Sequence, residues 1–106
     1  MTEADLQIKI IQFFRKEYPN YIIFSVPNEL ARNNAKYRSM GVLGGVSDVI
    51  VLMNNKTLFI ELKHGKNKQT PAQEYFENKV KTLGFDYFVV YDIDQFKNII
   101  NENNPI

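Results

Sequence analysis

Two short stretches hold the residue types of a hydrolytic centre. Gly45-Val46-Ser47-Asp48 leads into an apolar run, Val49-Ile50-Val51-Leu52-Met53. Thirteen residues after Asp48 comes Glu61-Leu62-Lys63, which closes a second run, Leu58-Phe59-Ile60. Side chains alternate along a strand with a period of two, so Glu61 and Lys63 point to one face. If the two runs pair as a hairpin, Asp48 and Glu61 meet at one end of it. Two carboxylates and an ammonium then share a small volume, which is the makeup of a divalent-metal site with a lysine beside an attacking water. Taken alone, an E-x-K triplet is equally the pattern of a surface charge ladder. Asp48 at the facing end of the hairpin, an inward carboxylate upstream and a basic surround favour the metal site.

These residues need elements to position them. Residues 4–17 read as a helix, with Leu6, Ile10, Phe13 and Phe14 forming an apolar stripe. Glu3 shares the azimuth of that stripe, and Gln7 follows four residues later. Two readings of Glu3 stand side by side: a first-turn acid facing the helix dipole in water, or a third carboxylate for the site. Residues 21–26 form a short strand ended by Pro27, and residues 28–37 a polar, basic loop with a helical turn. Gly41, Gly44 and Gly45 give a flexible approach to a strand over residues 47–53. Asn54-Asn55-Lys56 makes a hairpin turn, and residues 57–63 the returning strand. Thr70-Pro71-Ala72-Gln73 is a helix start, with Thr70 as N-cap, proline at the first position and Gln73 closing a capping box. That helix runs to about Leu83, with Tyr75, Phe76, Val80 and Leu83 inward, and Gly84 stops it. Residues 85–91 form an apolar strand buried on both faces, and a last helix runs from Asp92 or Asp94 to near Asn101.

The order is therefore α-β-β-β-α-β-α in an α/β domain with a mixed sheet. The strand over 57–63, the helix and the strand over 85–91 form a parallel, right-handed βαβ unit. The expected core is Leu6, Ile10, Phe13, Val49, Val51, Leu58, Ile60, Phe76, Val80 and Val89.

At 106 residues the chain is expected to be a single domain over residues 1–106. Its 44% hydrophobic and 24% charged content is that of a globular protein, and no apolar run approaches the roughly 20 residues of a membrane span. The acidic start, Met-Thr-Glu-Ala-Asp, is not that of a signal peptide. The absence of cysteine excludes disulfides, thiolate zinc sites and cysteine nucleophiles, and suits a reducing cytoplasm. One histidine, His64, cannot build a histidine-based metal cluster and is given no role.

Net charge is only +1, but residues 31–73 hold seven basic residues (Arg32, Lys36, Arg38, Lys56, Lys63, Lys66, Lys68) against Asp48 and Glu61, a local +5. The remainder, with six basic and ten acidic residues, carries −4. A basic field around a small acidic centre suits a phosphodiester substrate. The same clustering also fits a solvated surface.

Asp48, then Glu61-x-Lys63 across a hairpin, resembles the signature of the PD-(D/E)XK nucleases, with Ser47 where proline commonly precedes the aspartate. The closer resemblance is to the virus-type replication-repair nuclease (VRR-NUC) domain. It covers residues 2 to about 96 in order: Thr2-Glu3-Ala4-Asp5-Leu6-Gln7, Pro27-Asn28, the basic stretch 32–38, the glycine approach 41–48, Phe59-Ile60-Glu61-Leu62-Lys63, and a lysine-rich loop leading to Thr70-Pro71-Ala72-Gln73.

The resemblance implies a restriction-endonuclease-like α-β-β-β-α-β core with a mixed central sheet flanked by helices. It implies a Mg²⁺- or Mn²⁺-dependent endodeoxyribonuclease of stand-alone phage or bacterial type, working in the cytoplasm, of the host if phage-encoded. Asp48, Glu61, the Leu62 backbone carbonyl and Glu3 are its implied metal ligands. Lys63 is implied to orient water or stabilise developing charge, and Gln7 and Gln73 are candidates to line the site, with the capping role also open to Gln73. Lys36, Arg38, Lys66 and Lys68 are candidate phosphate contacts. The resemblance further implies branched DNA, such as four-way junctions, as substrate and a homodimer as the working form. Tyr21, Tyr37 and Met40 are candidates for the dimer interface. Two other readings remain at this stage: a non-catalytic nucleic-acid-binding module, and a small structural partner protein whose E-x-K is a surface ladder.

Overall fold

A computed structural model of the chain describes residues 1–27 and 34–104. The first helix, α1 (Glu3–Glu17), starts on a capping box: Thr2 Oγ1 accepts from the Asp5 N–H, and Asp5 Oδ2 accepts from the Thr2 N–H. Its buried stripe steps by four, Leu6-Ile10-Phe14, each worth about 1.5–3 kcal/mol when fully withdrawn from water. Phe13 lies on the flank of that stripe and is only partly buried, with its ring edge-on to Phe96 and Tyr18, so the fully buried phenylalanine is Phe14.

The sheet has the order β1 (Ile22–Ser25), β2 (Val49–Met53), β3 (Lys56–Leu62), β4 (Asp86–Val90). The first two pairings are antiparallel and the third is parallel. The β2–β3 turn is Asn54-Asn55, with Asn55 at φ 56°, a left-handed conformation that asparagine tolerates. Lys56 already pairs with Met53, so the turn is one residue shorter than expected. Between β1 and β2 lies a short helix, α2 (Ala35–Ser39), capped by Asn34. Then α3 (Pro71–Thr82) joins β3 to β4, and α4 (Ile93–Asn103) follows, capped by Asp92.

Period-two alternation splits each strand between two faces. Val49, Val51, Met53, Leu58, Ile60, Leu62 and Val90 meet α1 and α4, with Phe96 and Ile100 filling the layer. The opposite face carries Phe59 and Tyr87, whose rings meet Phe76 of α3 edge-on. Helix α3 covers the β3–β4 side of that face and leaves Ile22 and Phe24 of β1 exposed. The outer edge of β1 is blunted by Arg15, whose Nη2 donates to Ile23 O at 3.2 Å.

Several expectations are corrected. The β4 strand is covered on both faces, with Tyr87 buried toward α3 and Val90 in the main core, but it is an edge strand with one neighbour and Phe85 and Tyr91 at its ends are exposed. Val89 and Phe76 are accordingly half-buried rather than core. Tyr75 points outward beneath the Lys79 ammonium, and Leu83 is exposed because the helix has ended and Gly84, at φ +90°, turns the chain away. Among the described residues no helix is long and apolar enough to cross a membrane.

Candidate active site

The β2–β3 register pairs Val49 with Ile60 and so sets Asp48 opposite Glu61, one step beyond the ladder. Asp48 is held at both levels of its structure. Its backbone carbonyl accepts from the Val26 N–H at 2.9 Å, and its Oδ2 accepts from the Leu62 N–H at 2.7 Å. Ser47, fully buried, donates its hydroxyl to Val49 O and needs no proline to hold the turn. Gly45 is required on steric grounds. At φ +80°, it lies against the first turn of α3, where an added Cβ would stand 2.5 Å from Ala72 O.

Glu61 and Lys63 emerge on the α3 face, as period two requires, and are only 1% and 7% exposed. Their ion pair is long, 3.8 Å, because Gln73 stands between them. Gln73 Nε2 donates to Glu61 Oε2 at 2.9 Å, and its Oε1 accepts from Lys63 Nζ at 2.9 Å. The same Oε1 accepts from the Thr70 N–H at 2.9 Å, closing the α3 capping box. The amide orientation is dictated by its partners, since a carboxylate needs a donor and an ammonium an acceptor. Gln73 therefore both caps the helix and lines the site.

Glu61 Oε1 is buried and makes no hydrogen bond, alone in this among the side-chain nitrogens and oxygens of the described residues. Burial raises the Glu61 carboxyl to about 8, and the Asp48 charge adds to the rise while Lys63 opposes it. Burial raises Asp48 as well, partly offset by the Leu62 N–H. Two carboxylates against one ammonium leave net negative charge around an orphaned, buried oxygen, and a hard divalent cation with oxygen ligands suits that donor set. Asp48 and Glu61 are the side chains placed to hold it.

Glu3 stands farther off. Its charge raises both Asp48 and Glu61, and its Oε2 accepts a long 3.4 Å bond from Asn67. Among the described residues no group of three or more His, Cys, Asp or Glu side chains could hold a metal, so the carboxylate centre is a pair with Glu3 at one remove. Gln7 lines a cavity of about 150 Å³ with Ser25, Val26, Pro27 and Asp48, on the β1 side of the site. A larger hollow at the hairpin-turn end of the sheet, lined by Tyr18, Tyr21, Asn54 and Asn104, touches none of these residues.

Lys66 and Lys68 are exposed on the loop between Lys63 and α3, and Lys36 and Arg38 are exposed on α2. Arg32, and Asn28 of the Pro27-Asn28 pair, lie outside the described residues. Of the residues considered for a subunit interface, Tyr21 is committed to a ring stack with Phe14 and Tyr18 and to Asn104, Tyr37 is half-buried, and Met40 is exposed.

Two neighbours of the site were not anticipated. Tyr87, on β4 beside Phe59, accepts from Gln69 Nε2 at 3.2 Å, and burial, then the Glu61 charge, pushes its phenol up. A tyrosine in an otherwise apolar strand was the available signal. Asn67 ties the basic loop to Glu3 through its side chain and to the Tyr91 hydroxyl through its carbonyl. Nothing local in the sequence marks that link.

The fold superposes on that of a solved structure described as a VRR_NUC domain protein, with a TM-score of 0.75 and 24% sequence identity, over 96% of this chain and 87% of that one. The two chains share a fold, a mixed four-stranded sheet flanked by helices, as the resemblance in the sequence led us to expect. No family model matches the chain, and no curated protein matches it.

Proposed function

We propose that this chain is a divalent-metal-dependent endodeoxyribonuclease that hydrolyses phosphodiester bonds in branched DNA, including four-way junctions. The observation that carries the reading is the pairing of half-buried Asp48 with buried Glu61, with the orphaned Glu61 Oε1 on one side and Lys63 on the other. The nuclease-type fold that surrounds it supports the same reading.

Asp48 and Glu61, with the Leu62 carbonyl, are the groups that would hold Mg²⁺ or Mn²⁺. Such an ion supplies Lewis acidity there, favouring deprotonation of water and balancing charge on the phosphate. The protein's own part is positioning. Gln73 fixes the Lys63 ammonium beside the carboxylates, where it can orient a water or meet negative charge as it develops on the phosphate. Glu3 adds negative potential from α1, which strengthens cation binding without direct contact. Lys36, Arg38, Lys66 and Lys68 supply the phosphate-binding field.

Paired nicks across a junction need two sites related by a two-fold axis, so the working form is a homodimer. Ile22 and Phe24, 55% and 40% exposed on the sheet face that α3 leaves open, offer apolar surface for a second copy.

The test is a panel of linear, flapped and four-way DNAs incubated with Mg²⁺, with Mn²⁺ and with EDTA. Metal-dependent cleavage that prefers the branched substrates, together with a dimer mass in light scattering, is the expected result. Binding without cleavage in either metal would leave a non-catalytic DNA-binding module.

A further inference from the structure

We infer that Tyr87 and Tyr91 are positioning residues, whose hydroxyls strap the lysine-rich loop 64–69 so that Lys66 and Lys68 meet the DNA backbone already ordered at the rim of the site. The inference rests on the nuclease reading above and adds the device that presents its phosphate-binding field.

The loop leaves the end of β3 and reaches the α3 cap at Thr70. It is polar and contains Gly65 at φ +59°, so its own sequence gives it little reason to hold one shape. Three bonds from outside the loop hold it. Gln69 Nε2 donates to the Tyr87 hydroxyl at 3.2 Å, the Tyr91 hydroxyl donates to Asn67 O at 3.3 Å, and Asn67 Nδ2 donates to Glu3 Oε2 at 3.4 Å. The partners are 18, 24 and 64 residues apart, so the loop is tied to β4, to the segment just after it and to α1. Both tyrosines are themselves fixed. Tyr87 is 5% exposed, with its ring edge-on to Phe76 of α3, and the Tyr91 N–H donates to Gln95 Oε1 at 2.7 Å.

The ties alternate with the charges. Asn67 and Gln69 carry the bonds, while Lys66 and Lys68 are exposed and make no hydrogen bond or ion pair among the described residues. The anchors also border the carboxylate pair: the Glu61 charge acts on Tyr87, and the Glu3 charge acts on Asp48 and Glu61. Two free ammonium groups are thus presented beside the site, and a row of phosphates is their complement. Long side chains on an unheld segment lose conformational freedom when they meet a ligand, and a loop ordered beforehand loses less. Ties that served only the fold would leave DNA affinity independent of the tyrosine hydroxyls.

The experiment uses the full chain in EDTA, so that binding is read without cleavage. Tyr87→Phe and Tyr91→Phe keep the rings and remove only the hydroxyls, and Gln69→Leu cuts the first tie from the loop side. Circular dichroism checks each fold. Trypsin should cut the Tyr87→Phe/Tyr91→Phe variant after Lys66 or Lys68 several-fold faster than wild type. Its affinity for DNA should fall about 3- to 10-fold, the range for one or two net hydrogen bonds. In a Lys66→Ala/Lys68→Ala background the same tyrosine substitutions should lower affinity no further, because the residues they position are gone. With Mg²⁺ the loss should appear in KM rather than in kcat. Gln69→Leu should reproduce Tyr87→Phe and add nothing to it. Wild-type affinity or wild-type resistance to trypsin in the double phenylalanine variant overturns the inference. So do losses that add in full to those of the lysines. A fall in kcat at saturating DNA also overturns it, by assigning the hydroxyls to the α3 cap and Gln73. Coupling to the lysines in a protein that never cleaves DNA would leave the strap standing and remove the nuclease reading. Metal-dependent cleavage with fully additive losses would do the reverse.

Discussion

Gln73 Nε2 lies 2.9 Å from Glu61 Oε2, while the other end of the same amide accepts from both the Lys63 ammonium and the Thr70 backbone. The first turn of α3 is thereby tied to both ends of the E-x-K triplet. The cap of that helix and the orientation of those two side chains thus share one amide.

That coupling can be separated by substitution. Gln73→Glu keeps a carboxylate oxygen for the capping box but sets a second negative charge against Glu61 in place of an N–H donor. Thermal stability in EDTA at acidic pH should change little, whereas kcat should fall by roughly 10- to 100-fold, the range for losing a hydrogen bond to a charged group. Gln73→Ala should lose both the cap and the activity. A Gln73→Glu variant with wild-type kcat would confine the residue to helix capping.

The pH dependence of stability follows from the carboxylate pair. Burial and the Asp48 charge raise Glu61 from 4.5 to about 8, so the folded protein holds this proton more tightly than the unfolded chain does. The stability linked to that proton is fully present below the unfolded value and is lost as pH rises through the folded one. In EDTA the Tm should therefore fall between about pH 5 and pH 8. Mg²⁺ should raise the Tm increasingly over the same interval, because the cation takes the place of the proton. Glu61→Gln should flatten both curves. A metal-free Tm that rises across this window would mean the two carboxyls do not share a buried site.

Catalytic roles are read from kinetics. Asp48→Asn and Glu61→Gln should abolish cleavage while the circular dichroism spectrum stays that of wild type. Lys63→Ala should lower kcat by about 10² or more, the scale for one preorganised electrostatic group, with much less effect on DNA affinity. Equal losses of affinity and turnover in Lys63→Ala would make it a phosphate-binding residue.

The loop between Lys63 and α3 is testable by salt. Neutralising Lys66 and Lys68 together should weaken binding to all DNA sequences alike. The slope of log affinity against log salt should become shallower by about 1.8, corresponding to two released phosphate contacts. An unchanged slope would place this loop off the DNA path.

Much of this protein is legible in one dimension. Period-two alternation is a property of the extended backbone, so the common face of Glu61 and Lys63 follows from their spacing. The Thr70–Gln73 box, the stop at Gly84 and the hairpin turn are set by contacts between residues close in sequence, and each element falls within a residue or two of where such contacts put it. Register did the rest for Asp48, since pairing two apolar runs across a tight turn leaves few alignments that keep one face buried. What the chain could not disclose locally was burial, because burial depends on segments distant in sequence. Phe14 rather than Phe13 fills the core because the sheet meets the Leu6-Ile10-Phe14 row of α1, while Phe13 lies on its flank against Phe96 of α4. The strand over 85–91 reads as apolar throughout, but its ends Phe85 and Tyr91 are exposed, since its own residues cannot say what packs against them. The second role of Gln73, the orphaned Glu61 oxygen and the standoff of Glu3 arise where α3, β3 and α1 converge. Only the tertiary structure decided them, because electrostatic coupling and desolvation act through space rather than along the chain.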